Sequence, residues 1–236
     1  PGTMGLYVPL ACDGCGLFSI YTSVLGALKL KENGVYTGIH LNFGKNGLYY
    51  DPAKGLNSWE YYMQPITVAD PEKCEKGVTC LPQTMHDYAA MAFDAEGSLS
   101  RKEAHSLIQK YFHIRPEIQQ EVDDFVRNHF EGQGKIIGVH YRGTDKKSEA
   151  AELEYEKVFE KLERLLFERN QASSFKIFVA SDEQKFVDAI KDRFPGRIIT
   201  SNAERSTDGT PLHFGNKNPY QSGKEALIDA LLLSRT

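Results

Sequence analysis

Apolar residues along this chain follow two rhythms. Some form short runs of strand length; others recur three or four positions apart, as on one face of a helix. Leu6 to Ala11 is a run of the first kind. After the glycine-rich turn Cys12 to Gly16, Ile20, Val24 and Leu28 recur at helical spacing, which predicts a helix from Leu17 to about Asn33. Gly34 stands where a glycine stop belongs, and Val35 to Phe43 reads as the next strand. This is the strand–turn–helix–strand unit from which parallel sheets are built.

Gly44 to Ile66 breaks the rhythm and places five aromatics, Tyr49, Tyr50, Trp59, Tyr61 and Tyr62, in a loop-rich segment. Such rings either pack the loop onto the domain or face a sugar, with packing the better expectation for most of them. Asp70 to Pro82 reads as a surface excursion. Ser100-Arg-Lys-Glu103 is a capping box that opens a helix to about Phe112. Arg115-Pro116 opens another, striped by Ile118, Val122, Phe125 and Val126. Glu131 to Lys135 reads as a hinge, so a domain boundary is expected near residue 130 or within the two preceding helices.

The second half is more regular. Ile136 to Tyr141 is a buried strand, and a helix from about Glu149 to Arg169 follows. Phe175 to Ala180 is the next strand, Gln184 to Phe194 a helix, and Arg197 to Thr200 a third strand. A polar loop spans Ser201 to Gly223, and a last helix starts at about Lys224. The order βαβαβ, loop, α is that of a mononucleotide-binding half of a doubly wound sheet.

Composition narrows the classes. The 236 residues suit one large domain or two small ones. A net charge of −4 gives no electrostatic case for nucleic acid or an anionic membrane. No apolar run reaches membrane-spanning length, and no leader of basic residues plus apolar core opens the chain. A cytoplasmic location is expected on that basis; a secretory-lumen domain trimmed of its leader would read the same. Pro1 to Met4 and the close at Thr236 suggest a piece of a longer protein. Cys12 and Cys15 form a C-x-x-C, while Cys74 and Cys80 have five residues between them. Unlinked thiols, a disulfide loop and a four-thiolate zinc all remain open.

The chemistry concentrates where parallel strands end, the edge at which open sheets bind ligands. Those ends carry His140, Arg142 and Asp145, then Ser181, Asp182 and Glu183, then Ser201 and Asn202. An arginine beside acids and hydroxyls suits a nucleotide diphosphate: the guanidinium for phosphate, the acids for ribose hydroxyls or a base edge. Glu149, at the expected start of a helix, either serves as a base or favours the helix dipole. The glycine-rich turn near Cys12 lacks the G-x-G-x-x-G spacing and reads as a tight turn.

Ile137-Gly-Val-His-Tyr-Arg-Gly-Thr-Asp-Lys146 resembles the first motif of the α1,6-fucosyltransferases, roughly I-G-V-H-V-R-R-T-D-K. Tyr111 to Pro116, Ser148-Glu-Ala-Ala151, Val179 to Glu183 and Ala226 to Ser234 resemble further segments of that family, in the same order. The likeness covers about Tyr111 to Thr236. It implies an α/β, GT-B-like fold of two Rossmann-like parallel-sheet domains: residues 1–130 on the acceptor side, residues 131–236 for the nucleotide sugar. It also implies transfer of fucose from GDP-fucose to a glycan hydroxyl, with inversion and without a metal. Under that resemblance Arg142 binds the β-phosphate and His140 lines the nucleotide site. Asp145 and Lys146 belong to a polar relay, and Glu149 is the candidate base. Asp182 contacts the nucleotide, and Asp229 holds the guanine or its pocket. The absence of a D-x-D dyad agrees with the metal-free expectation. Three departures stand out: Gly143 replaces the second arginine, Glu149 lies one residue nearer the motif, and the family's serine-rich turn after the last helix is not in the sequence. A transferase using another GDP-sugar, or a binding protein without turnover, are the alternatives.

Overall fold

The structure is a computed structural model and describes residues 6–8, 16–34, 39–41, 43, 47–66, 99–144, 154–168, 175–212 and 218–236. The chain divides into two compact units, Pro1–Pro116 and Glu117–Thr236.

In the first unit β1 (Leu6–Val8) and β2 (Ile39–Leu41) pair in parallel, Leu6 opposite Ile39. Helix α1 (Leu17–Glu32) comes between them in sequence. Val24, Ala27 and Leu28 are fully buried, so the helix is held by packing more than by its caps. It ends as the glycine stop predicts: Asn33 donates to the Lys29 carbonyl, and Gly34 takes φ +74°, which favours glycine.

The aromatic loop resolves in favour of packing. Trp59, Tyr61 and Tyr62 are 3%, 5% and 1% exposed, so they are not available as a sugar-facing surface. Trp59 meets Tyr21, Phe43 and Phe112 at ring distances of 5.6, 6.0 and 5.2 Å. Asn57 fastens the loop to the β2 edge. Its Oδ1 accepts from the Phe43 and Trp59 backbone N–H groups, and its Nδ2 donates to the Leu41 carbonyl. Helix α2 (Arg101–Tyr111) opens on the expected capping box: Glu103 N–H donates to Ser100 Oγ, and Ser100 N–H to Glu103 Oε2.

The division between units falls at the start of α3 (Pro116–His129). The second unit then runs β3 (Lys135–Tyr141), α4 (Tyr155–Glu168), β4 (Phe175–Ser181), α5 (Gln184–Arg193), β5 (Ile198–Thr200) and α6 (Pro219–Leu233). The sheet order is β3-β4-β5, all parallel, with Lys135 opposite Phe175 and Ile177 opposite Ile198. Strand alternation divides the core into two faces. Val139, Tyr141, Ile177 and Val179 pack with Phe159 and Leu162 of α4 and with Phe186 and Ile190 of α5. Phe178 points the other way and meets Phe125 and Phe130 at 6.0 and 5.4 Å. On that face Gly138 lets α6 approach: a Cβ there would stand 2.2 Å from Thr236 Oγ1 and 3.1 Å from Leu233 Cδ2.

Helix α6 begins at Pro219, five residues ahead of the expected Lys224. Asn218 caps it, its Oδ1 accepting from Gln221 N–H at 3.0 Å, and proline fills the first helical position. The four cysteines lie outside the described residues. Among those residues, no helix is long and apolar enough to cross a membrane, and no cluster of His, Cys, Asp or Glu could hold a metal ion.

Candidate functional site

The site is built where β3 and β4 end side by side, Tyr141 opposite Ser181. β3 gives way to Arg142, Gly143 and Thr144; β4 gives way to Asp182 and Glu183. Asp182 ties the two ends together. Its Oδ1 accepts from Gly143 N–H at 2.9 Å, and its Oδ2 accepts from the Thr144 hydroxyl at 2.5 Å. Bonds to a charged acceptor are stronger than neutral ones, and Thr144 is buried. Asp182 therefore has a structural duty beyond the nucleotide contact expected of it. Asp182→Ala is expected to lower the stability of the second unit by about 2–3 kcal/mol, read as a shift in the denaturant midpoint.

The loop after β5 returns to the same place. Ser206 N–H donates to the Asp182 carbonyl at 2.8 Å, and Gln184 N–H donates to the Ser206 carbonyl at 2.9 Å. This makes a one-residue parallel bridge between Glu183 and Ser206. The strand ends are thus fixed by backbone on one side and by a carboxylate on the other.

Arg142 is exposed at this fixed edge, as is His140 two residues earlier. Although part of the His140 ring is open to water, the protein packed around it desolvates the imidazole. That desolvation and the Arg142 charge lower its pKa, with the Asp182 carboxylate acting in the opposite sense. A neutral imidazole beside a guanidinium adds hydrogen-bonding capacity without a second positive charge.

A second polar cluster lies where β5 ends. Asp229, on α6, is hydrogen-bonded to Ser201, which is buried, and Arg205 lies near it. Arg205 Nη2 donates to the Ser201 carbonyl at 2.9 Å. Asp229 Oδ1 and Arg205 Nε are both buried without a hydrogen-bond partner. Asp229 thus stands behind the strand end as part of its wall. Burial pushes its pKa up to about 6, against the opposing pull of Ser201 and Arg205. Its folded pKa is above its ordinary 3.8, so the native state holds the extra proton between pH 3.8 and about 6. Stability is expected to fall as pH rises through that window, by on the order of 2–3 kcal/mol. Across that window the parent's denaturant midpoint should fall relative to that of Asp229→Asn, the difference isolating this carboxyl from the other titrating groups.

Of the residues the sequence pointed to, the structure brings His140, Arg142 and Asp182 together and sets Asp229 behind the neighbouring strand end. Asp145, Lys146 and Glu149 lie outside the described residues. Thr144, Tyr155, Arg205 and Ser206 were not singled out for the site. Thr144 bonds to a residue 38 positions away in sequence, so no local pattern marks it. Arg205 and Ser206 sit in an aperiodic polar loop that carries no such pattern.

The sequence matches no protein-family model, and no curated protein matches it. Solved structures do. The chain is similar to NodZ alpha-1,6-fucosyltransferase co-crystallized with GDP, with a TM-score of 0.62 and 18% identity over 99% of this chain and 86% of that one. It is similar to fucosyltransferase NodZ from Bradyrhizobium at TM-score 0.61 and 18% identity, over 99% of this chain and 87% of that one. A crystal of NodZ soaked with GDP-fucose gives TM-score 0.61 and 17% identity, over 98% and 86%. The α/β chain with parallel strands in both units therefore has the GT-B-like fold of these fucosyltransferases.

Proposed function

We propose that this chain is a glycosyltransferase that takes its sugar from a GDP-linked donor, with fucose as the leading sugar and a glycan hydroxyl as acceptor. The observation that carries this reading is the turn after β3. Asp182 holds it from two sides, and it presents Arg142 at the carboxyl edge of a parallel sheet. The crystals of the similar NodZ enzyme with GDP and GDP-fucose support the choice of donor.

The chemistry follows from charge. Breaking the bond between sugar and diphosphate leaves negative charge on the departing phosphate. A guanidinium fixed beforehand stabilises that charge without reorganising. Arg142 supplies it, and His140 lines the same edge. The acceptor hydroxyl needs a base on the opposite side of the sugar carbon, which gives inversion. The family resemblance assigns that role to Glu149, with Asp145 and Lys146 in the polar relay around the reaction centre. The reaction is proposed to need no metal, because the charge on the diphosphate is met by arginine.

Calorimetric titration with GDP, GDP-fucose, GDP-mannose and UDP tests the donor. Binding of the guanine nucleotides alone is the expected result; equal binding of UDP, or no binding at all, would overturn the reading. Transfer to a glycan panel should continue undiminished in EDTA. A binding protein without turnover is the second reading, favoured by Gly143, which adds no cation beside Arg142. It would show donor binding with neither transfer nor hydrolysis.

A further inference from the structure

Beside the turn that carries Arg142 lies a carboxylate that the mechanism above does not use. Glu183 follows Asp182 and is 5% exposed. Its Oε2 accepts from the Tyr155 hydroxyl at 2.8 Å, and its backbone N–H donates to Ser181 Oγ at 3.1 Å. The Tyr155 ring in turn packs edge-on against Tyr141, at 5.4 Å, and against Phe186, at 5.2 Å. A buried acid held this way has little freedom to move.

Gly143 faces it. A Cβ on Gly143 would stand 2.2 Å from Glu183 Oε2, 2.8 Å from its Cδ and 2.9 Å from Tyr141 Cε1. Carbon and oxygen do not approach so closely without displacing one another. The obstacle is the end of a side chain, which would normally swing aside, but this one is buried and bonded to Tyr155. Glycine at 143 and glutamate at 183 are therefore two halves of one arrangement. Asp182 grips the turn by hydrogen bonds, and Glu183 grips it by contact.

We propose that Glu183 is a positioning residue of the donor site. By filling the space against Gly143 it fixes where the turn runs, and so where the Arg142 guanidinium stands. It also fixes specificity of composition: any larger residue at 143, a second cation included, would need the room that Glu183 occupies. The role assigned to Arg142 rests on the donor reading given above; the packing of Glu183 on Gly143 does not.

The test is a double-mutant cycle on the full chain with four variants: Glu183→Ala, Glu183→Gln, Gly143→Ala and the double Glu183→Ala/Gly143→Ala. GDP affinity and thermal midpoint are measured for each. Glu183→Ala and Gly143→Ala are each expected to weaken GDP binding about tenfold. Glu183→Gln keeps the shape and an acceptor for Tyr155, and should bind within about twofold of the parent. The double variant should be no worse than either single one, because the added methyl then enters space that Glu183 has vacated. Losses that multiply in the double variant, or a Glu183→Gln as weak as Glu183→Ala, would overturn the proposal. If the parent itself binds no GDP, the donor reading falls, and the thermal midpoints alone decide. Non-additive midpoints would support the Glu183–Gly143 arrangement, and additive ones would sink it.

Discussion

Arg142→Ala is expected to lower kcat/KM for sugar transfer at least a hundredfold while the second unit stays folded. The two halves of this expectation have separate causes. Arg142 is exposed, so its removal opens no cavity in the core. Its backbone neighbours are fixed by Asp182 whatever side chain residue 142 carries, because the bonds come from Gly143 N–H and the Thr144 hydroxyl. On the proposed reading, the loss of transfer comes from the charge that would meet the departing diphosphate. Arg142→Lys should recover only part of it, since an ammonium cannot offer the paired, planar donors of a guanidinium. A single-turnover assay with GDP-fucose and a glycan acceptor reads the effect. Undiminished transfer by Arg142→Ala would remove Arg142 from the chemistry.

Phe178→Ala is expected to destabilise the second unit by about 3–5 kcal/mol, enough to unfold a domain of ordinary stability. Phe178 is fully buried in β4, the middle strand of the sheet. Phe125 and Phe130 meet its ring edge-on, and both would lose that contact together. No small movement refills that space, because the strand is fixed by neighbours on both edges. Denaturant unfolding followed by fluorescence would measure the change. Phe178→Leu should lose less, since much of the volume remains. GDP binding should disappear along with the fold and return on cooling or on adding a stabilising osmolyte. That behaviour separates Phe178→Ala from Arg142→Ala, whose loss no osmolyte can restore.

The repeating units were legible because their signals are local. Ser100 and Glu103 announce α2, Gly34 stops α1, and the apolar run from Ile177 to Ala180 reads as a strand buried on both faces. Arg142 and Asp182 were legible for the same reason: each stands just past the end of a strand-length run. What the sequence did not yield depends on contacts between distant residues. That Asp182 bonds to Gly143 and Thr144 follows from the register of β3 against β4, which no local pattern states. The burial of Trp59 depends on rings contributed by α1 and by Phe112, while Tyr61 and Tyr62 meet edge-on. The early start of α6 was obscured by its company. Asn218-Pro219 is a sound helix opening, but it sits at the end of a long polar loop and precedes Gly223 within the helix.

The sheet of the second unit has one face that is closed by neighbours in sequence and one that is not. Helices α4 and α5 each join the strands they cover, so that layer can form while the chain is still being made. The opposite face is covered by α3, which precedes the sheet, and by α6, which follows every strand in it. Gly138, in the first strand, receives Leu233 and Thr236. Until α6 has left the ribosome, Phe178 and the Gly138 strip have shelter from α3 alone. A ribosome that stalls in the loop between β5 and α6 would therefore release a sticky intermediate with one finished layer and one bare one. Chaperone demand during synthesis should peak over that loop and fall once α6 docks.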